Sequence, residues 1–164
     1  MLKSKKNVYW VTGVSGSGKS TFANILKKEL EEKKINSILI DGDEIRKLLN
    51  DKYSYTKDDR LEVARIYSKL AKLISEQGVT TIVSTISLFN EIHEWNRENI
   101  SGYKEILIKR DMNDILRDDK KLVYKNNNVV GNEIPAEYPK NPEFIVENIK
   151  KNEINKYIKE FILK

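Results

Sequence analysis

The 164-residue sequence predicts an α/β fold, a five-stranded parallel sheet with helices on both faces. Three observations predict it. Short apolar runs without polar alternation recur, as strands buried on both faces require. Segments with helical periodicity separate them. The first apolar run also ends in a glycine-rich loop that opens directly into such a helix. Strands alternating with helices close as right-handed crossover units, which makes the sheet parallel.

Val8 to Thr12 is the first strand. From Lys19 to about Lys33, Phe22, Ile25, Leu26 and Leu30 recur at helical spacing. Ser37 to Ile40 is the second strand and runs into Asp41-Gly42-Asp43, after which Ile45, Leu48 and Leu49 predict a short helix. A longer helix spans about Lys57 to Glu76, with Leu61, Ile66, Leu70, Leu73 and Ile74 on one face and Gly78 as its stop. Thr80 to Thr85 is the third strand. A helix over Asn90 to Asn99 carries His93 and Trp95, which are read as packing residues. Glu105 to Ile108 and Phe144 to Val146 complete the sheet, and a closing helix turns Ile154, Ile158, Phe161 and Ile162 inward. The stretch from Asp118 to Glu137 is polar, aperiodic and long for a plain connection. It is expected to be a mobile lid, or else a disordered loop, on a single domain spanning 1–164. The run Asn126-Asn127-Asn128 inside it is read as loop and nothing more.

Composition narrows the chemistry. A hydrophobic fraction of 39% with mixed charges fits a globular chain large enough for one core. There is no cysteine and one histidine, so thiolate and His-rich metal sites are excluded. An essential metal would need oxygen ligands, which points to Mg²⁺. The basic start, Met1 to Asn7, leads into a strand and not a signal peptide, and no stretch is long enough to cross a bilayer; a cytoplasmic protein without membrane partners is expected. The net charge of +5 is read as a solvated lysine-rich surface. A polyanionic partner is the alternative, but no basic stripe interleaved with aromatics supports nucleic-acid binding.

Gly13-Val14-Ser15-Gly16-Ser17-Gly18-Lys19-Ser20 satisfies G-x-x-x-x-G-K-[ST] in full, after a strand and before a helix. Gly13, Gly16 and Gly18 let the backbone aim its N–H groups at phosphate oxygens, with Ser15 and Ser17 completing the loop. The helix beginning at Lys19 adds its positive end. Lys19 is expected on the β/γ-phosphates of ATP, Ser20 on Mg²⁺ and Thr21 near the α-phosphate. The strand expected to carry the acid of a GTPase or motor ATPase runs instead into Ser84-Thr85, and no N-K-x-D motif is present. The acids follow the second strand. At that position Asp41 and Asp43 face the crevice at the strand ends, placed to orient a metal-bound water and accept a proton from an attacking hydroxyl. An ordinary D-G-D turn, with Asp43 capping the next helix, is the alternative.

At this point the chain resembles the adenylyl-sulfate (APS) kinase family over about residues 8–147. The motifs read V-S-G-S-G-K-S-T (14–21), I-D-G-D-E-I-R (40–46), D-D-R-L-E (58–62), S-T-I-S-L-F (84–89) and K-L-V-Y-K (121–125). The resemblance implies a P-loop nucleoside-triphosphate kinase fold and transfer of phosphate from Mg-ATP to the ribose 3′-hydroxyl of a small nucleotide anhydride, in a protein that commonly forms homodimers. It implies that Arg46 and Arg60 hold the charged part of the substrate, with Arg65 as a further candidate and Tyr55 against the base. Ile86 lies at the substrate, and the lid carries Lys121 and Arg117, the latter toward ATP. It also implies a phosphoserine at Ser87; in-line transfer needs no covalent step, so Ser87 is read as positioning the reacting groups at the strand end.

The departures from the family pattern lie on the acceptor side. The family's E-N-x-R-R segment reads Glu62-Val63-Ala64-Arg65 here, F-I-S-P has become Thr85-Ile86-Ser87-Leu88, and the lid phenylalanine of F-T-G falls in Val129-Val130-Gly131 within a shorter lid. With the ATP side intact, the same chemistry on a smaller base is expected. That favours the cytidine diphosphoramidate kinase branch, which serves capsule modification, over adenylyl-sulfate kinase. Two further alternatives are a catalytically inactive ATP-binding regulator and, more weakly, a polynucleotide kinase.

Overall fold

In the computed structural model, which describes residues 7–50, 52–119 and 122–163, the predicted strands form one parallel sheet. They are β1 (Val8–Thr12), β2 (Ser37–Asp41), β3 (Thr80–Thr85), β4 (Tyr103–Lys109) and β5 (Phe144–Glu147), in the order β2-β3-β1-β4-β5. All four pairings are parallel. β1 is central, and every one of its residues is buried.

The alternation of side chains along β1 divides the core in two. Val8 and Trp10 face a layer containing α3 (Lys57–Glu76) and α4 (Asn90–Asn99). Tyr9 and Val11 face α1 (Lys19–Glu32), through Phe22, Leu26 and Leu30, and the closing helix. That closing segment is α6 (Ile154–Tyr157), continued by a wider π turn at Ile158–Ile162. The fold is the expected α/β arrangement with both faces covered.

Three local expectations change. In α3 the buried residues are Val63, Ala64, Tyr67, Ser68, Ala71 and Ser75, and the larger Leu73 is 56% exposed. Small side chains let this helix lie close on the sheet, while Leu61, Leu70 and Ile74 only flank the contact. Phe161 does not enter the core; its ring packs on Tyr157 at 4.9 Å. A short helix missed in the sequence, α5 (Met112–Arg117), starts just after β4, with Asp111 accepting from Asn113 N at its N-cap. α2 (Gly42–Leu48) is the short helix expected after β2.

The described residues of the polar stretch after α5, from 122 onward, are packed in place. Val123–Lys125 forms a 3₁₀ turn. Val129, Val130 and Ile134 are buried, the last two within the α3/α4 core layer. Glu137 N donates to Leu88 O at 3.0 Å. A disordered loop, the alternative reading, does not fit this packing.

His93 is buried, with Nδ1 2.9 Å from Glu105 Oε1 but not aligned as a hydrogen bond. Glu105 also accepts from Tyr103 Oη at 2.8 Å and pairs with Arg97. This group sits toward the start of β4, away from the strand ends where ligands bind, so His93 is a packing residue as the sequence suggested. Among the described residues no helix is long and apolar enough to cross a membrane.

Candidate active site

β1 and β2 deliver their chain to the same edge of the sheet, and there the glycine loop and the acidic turn meet. The loop backbone lies against β4: a Cβ on Gly13 would stand 2.3 Å from Ile108 O. Only glycine permits that approach. Gly18 is the N-cap of α1 and no side chain caps it, so the first amides of the helix stay open to an anion.

Lys19 turns back over its own loop. Its Nζ donates to Val14 O at 2.8 Å. Burial pushes its pKa down to about 8, opposed by the nearby charges of Asp43 and Asp41. Ser20 Oγ donates to Asp41 Oδ2 at 3.3 Å. The other oxygen, Asp41 Oδ1, accepts from Asp43 N at 2.9 Å and caps α2. The cap is therefore Asp41 and not Asp43, whose carboxylate has no hydrogen-bond partner among the described residues and lines the cavity. Tyr67 Oη donates to Gly42 O at 2.9 Å and ties the acidic turn to α3. Burial raises the Tyr67 pKa to about 12, so this donor stays protonated.

A cavity of about 820 Å³ joins the phosphate loop to the acidic turn and to two arginines. Arg46 Nη1 donates to Ser54 O at 3.1 Å, and Arg60 Nε to Tyr55 O at 2.9 Å. Their guanidinium carbons lie 4.6 and 5.0 Å from the centre of the Tyr55 ring. Neither has a carboxylate partner among the described residues, and burial followed by the Arg46 charge lowers the Arg60 pKa. Two cations in one wall, neither in a salt bridge among the described residues, form an anion site. Ile86 and Ser87 line the same cavity at the end of β3. Ser87 is buried, with its Oγ 2.7 Å from Thr85 Oγ1.

Of the residues singled out in the sequence, the structure brings Ser15, Gly16, Lys19, Ser20, Asp41, Asp43, Arg46, Tyr55, Arg60, Ile86 and Ser87 to this cavity. Gly13, Ser17, Gly18 and Thr21 shape the loop and first turn behind it, with Ser17 buried and Thr21 exposed. Two expectations are corrected. Arg65 lies outside the cavity because Glu62 and Glu91 hold it on the surface of α3. Arg117 also lies outside, 68% exposed on α5 and paired with Asp114 and Asp118. Lys121 falls outside the described residues.

The arginine that does reach the phosphate loop was missed. Arg110 Nη1 donates to Gly16 O at 3.4 Å, and its other branch pairs with Asp118. It follows the last residue of β4, so the rule that strand ends line the crevice could have found it. Tyr124, whose Oη donates to Ser15 O at 2.7 Å, was also passed over although it lies in the quoted K-L-V-Y-K motif. Asn126 and Asn127, read only as loop, line the cavity as well.

The donor set suits a magnesium nucleotide. A hydroxyl at Ser20 and a carboxylate at Asp41 are the few oxygens Mg²⁺ takes from protein when phosphates supply the rest. Among the described residues no cluster of three acids or histidines could hold a metal by itself.

Known proteins agree with this geometry. A family model described as adenylylsulphate kinase matches residues 5–147. The chain is 36% identical over 169 residues to the cytidine diphosphoramidate kinase of Campylobacter jejuni, covering 99% of this chain and 98% of that one. It is 38% identical over 154 residues to the adenylyl-sulfate kinase of Bacillus velezensis, covering 89% and 78%. The structure of the Mycobacterium tuberculosis APS kinase in complex with AMPPNP and APS superposes with a TM-score of 0.87 at 27% identity, covering 98% and 99% of the two chains. The chain belongs to the adenylylsulphate kinase family and is a phosphotransferase that acts on an alcohol group.

Proposed function

We propose that this protein transfers the γ-phosphate of ATP to the ribose 3′-hydroxyl of a small nucleotide anhydride, with cytidine diphosphoramidate as the favoured acceptor. One observation carries the reading: a single cavity holds a phosphate loop, an acidic turn and an arginine pair that forms no salt bridge among the described residues. The loop receives the triphosphate on backbone amides and Lys19. Ser20 and Asp41 would hold Mg²⁺, which supplies charge neutralisation between the phosphates. Asp43, at the mouth of the loop, accepts the proton of the attacking hydroxyl. Arg46 and Arg60 fix the acceptor anhydride, and Ser87 and Ile86 border the reacting groups. Residues 118–137 act as the lid of a single domain, excluding water during transfer.

The cytidine acceptor draws support from the lid. Val129 and Val130 stand on the cavity wall where the family pattern carries an aromatic residue, so a purine loses a stacking surface there. Near-complete mutual coverage with the cytidine diphosphoramidate kinase supports the same reading. Adenylyl sulfate is the second reading, supported by similarity to the adenylyl-sulfate kinases. A coupled ADP-release assay offering cytidine diphosphoramidate, adenylyl sulfate or buffer alone tests it. Saturable turnover with the cytidine acceptor is expected. Turnover with adenylyl sulfate alone would transfer the assignment, and ADP release independent of any acceptor would refute a nucleotide kinase.

A further inference from the structure

The segment 124–128 forms an arch with both feet tied. Tyr124 Oη is bonded to Ser15 O in the phosphate loop, and Arg60 Nη2 donates to Asn128 O at 2.8 Å. Between them, Asn126 N donates to Val123 O at 3.1 Å and Asn128 N to the Glu133 carboxylate. The arch thus runs from the loop proposed for the triphosphate to the arginine pair proposed for the acceptor. Its Asn128 foot lies at the arginine end of the cavity.

The crown carries two carboxamides on the cavity wall. Asn126 and Asn127 both line the cavity, and neither side chain has a hydrogen-bond partner among the described residues. Of the aromatic rings on the cavity wall, Tyr67 and Phe89 are buried in the core and Tyr124 is tied to the phosphate loop. The Tyr55 ring is engaged by the guanidiniums of Arg46 and Arg60, and the adjoining lid residues that reach the cavity, Val129 and Val130, are aliphatic. A flat base entering under this arch therefore offers its polar edge as the main handle.

We propose that Asn126 and Asn127 grip the acceptor's base by its hydrogen-bonding edge and thereby select a pyrimidine over a purine. The inference rests on the preceding reading of the acceptor as a cytidine anhydride. A carboxamide presents a donor and an acceptor side by side, the complement of the adjacent amino group and ring nitrogen of cytosine. Adenine carries the same pair of groups one fused ring farther from its ribose. An arch tied at both feet cannot meet both edges at the same height, so the carboxamides that reach cytosine exclude the longer base.

The test compares kcat and KM for cytidine diphosphoramidate, adenylyl sulfate and ATP in the unaltered protein and in Asn126→Ala, Asn127→Ala and the double variant. Both positions are exposed, so the substitutions leave the fold intact. The double variant is expected to lose about tenfold to hundredfold in kcat/KM for the cytidine acceptor, mostly through KM. The KM for ATP is expected to hold within about twofold, activity on adenylyl sulfate to hold or rise as the exclusion is relieved, and Asn127→Gln to recover part of the loss made by Asn127→Ala. An equal loss on both acceptors would make the arch merely structural and overturn the proposal, as would no loss at all. If the unaltered protein ignores the cytidine acceptor, the acceptor assignment itself falls, and this shows before any residue is changed.

Discussion

Lys19 Nζ donates to Val14 O at 2.8 Å, so the cation meant for a phosphate closes the phosphate loop on itself. Burial lowers the pKa of Lys19 to about 8 from 10.5. Below about pH 8 the folded protein keeps a desolvated cation, a cost that is relieved as the pH rises toward 10.5. Ligand binding runs the other way, because a bound phosphate favours the ammonium form. ATP is expected to bind without proton uptake at pH 7 and with uptake at pH 9, its affinity falling by up to about tenfold per pH unit above 8. Calorimetry in buffers of different ionisation enthalpy measures this directly; equal proton uptake at both pH values would contradict it.

Asp41 has two tasks that one substitution can separate. It caps α2 through Asp43 N and faces Ser20 Oγ. Asparagine caps a helix about as well as aspartate, within a few tenths of a kcal/mol. Asp41→Asn is therefore expected to melt near the unaltered protein yet lose about a hundredfold or more in kcat, since the lost charge faces the site proposed for the metal and phosphates. Paired thermal denaturation and turnover measurements check it.

The arginines divide by position. Arg46→Ala removes half of the arginine pair in the cavity wall and is expected to raise the acceptor KM about tenfold or more. Arg65→Ala breaks exposed pairs with Glu62 and Glu91 and is expected to leave both stability and acceptor KM nearly unchanged. Steady-state kinetics on the two variants decide between them.

Ser87 is buried against Thr85 Oγ1. If transfer is direct, Ser87→Ala keeps kcat within about tenfold and no phosphorylated protein is trapped when acceptor is withheld. Mass spectrometry after incubation with ATP alone would expose a covalent intermediate.

Gly131 packs against Val14 of the phosphate loop. Its φ is 92°, and a Cβ there would lie 2.9 Å from Val14 Cγ1. Gly131→Ala is expected to cost about 1–2 kcal/mol in stability for the left-handed backbone alone. It is also expected to raise the KM for ATP, because Val14 must shift and it holds the Lys19 carbonyl contact. Chemical denaturation and ATP kinetics test the two effects separately.

The sequence carried the frame of this molecule well. Uninterrupted apolar runs marked the strands, and G-x-x-x-x-G-K-S marked where the first helix begins. What escaped was set by packing or by neighbours distant in sequence. Leu73 fits the helical stripe, but the sheet selects Ala64 and Ala71 because they allow closer approach. Arg65 looks like a ligand in a motif, yet Glu91, 26 residues away, claims it. Arg110 enters the site only because β4 ends beside Gly16. The order in 122–137 comes from Val130 and Ile134 meeting the core across the fold, which no local period could announce.

Phosphorus-31 NMR of the reaction mixture follows transfer of the γ-phosphate to the 3′-hydroxyl of the acceptor. With ATP, Mg²⁺ and cytidine diphosphoramidate, a new phosphomonoester signal coupled to the ribose 3′ proton is expected, growing as the γ-phosphate signal falls and absent in Lys19→Ala. Loss of the γ-phosphate signal to inorganic phosphate alone would contradict it.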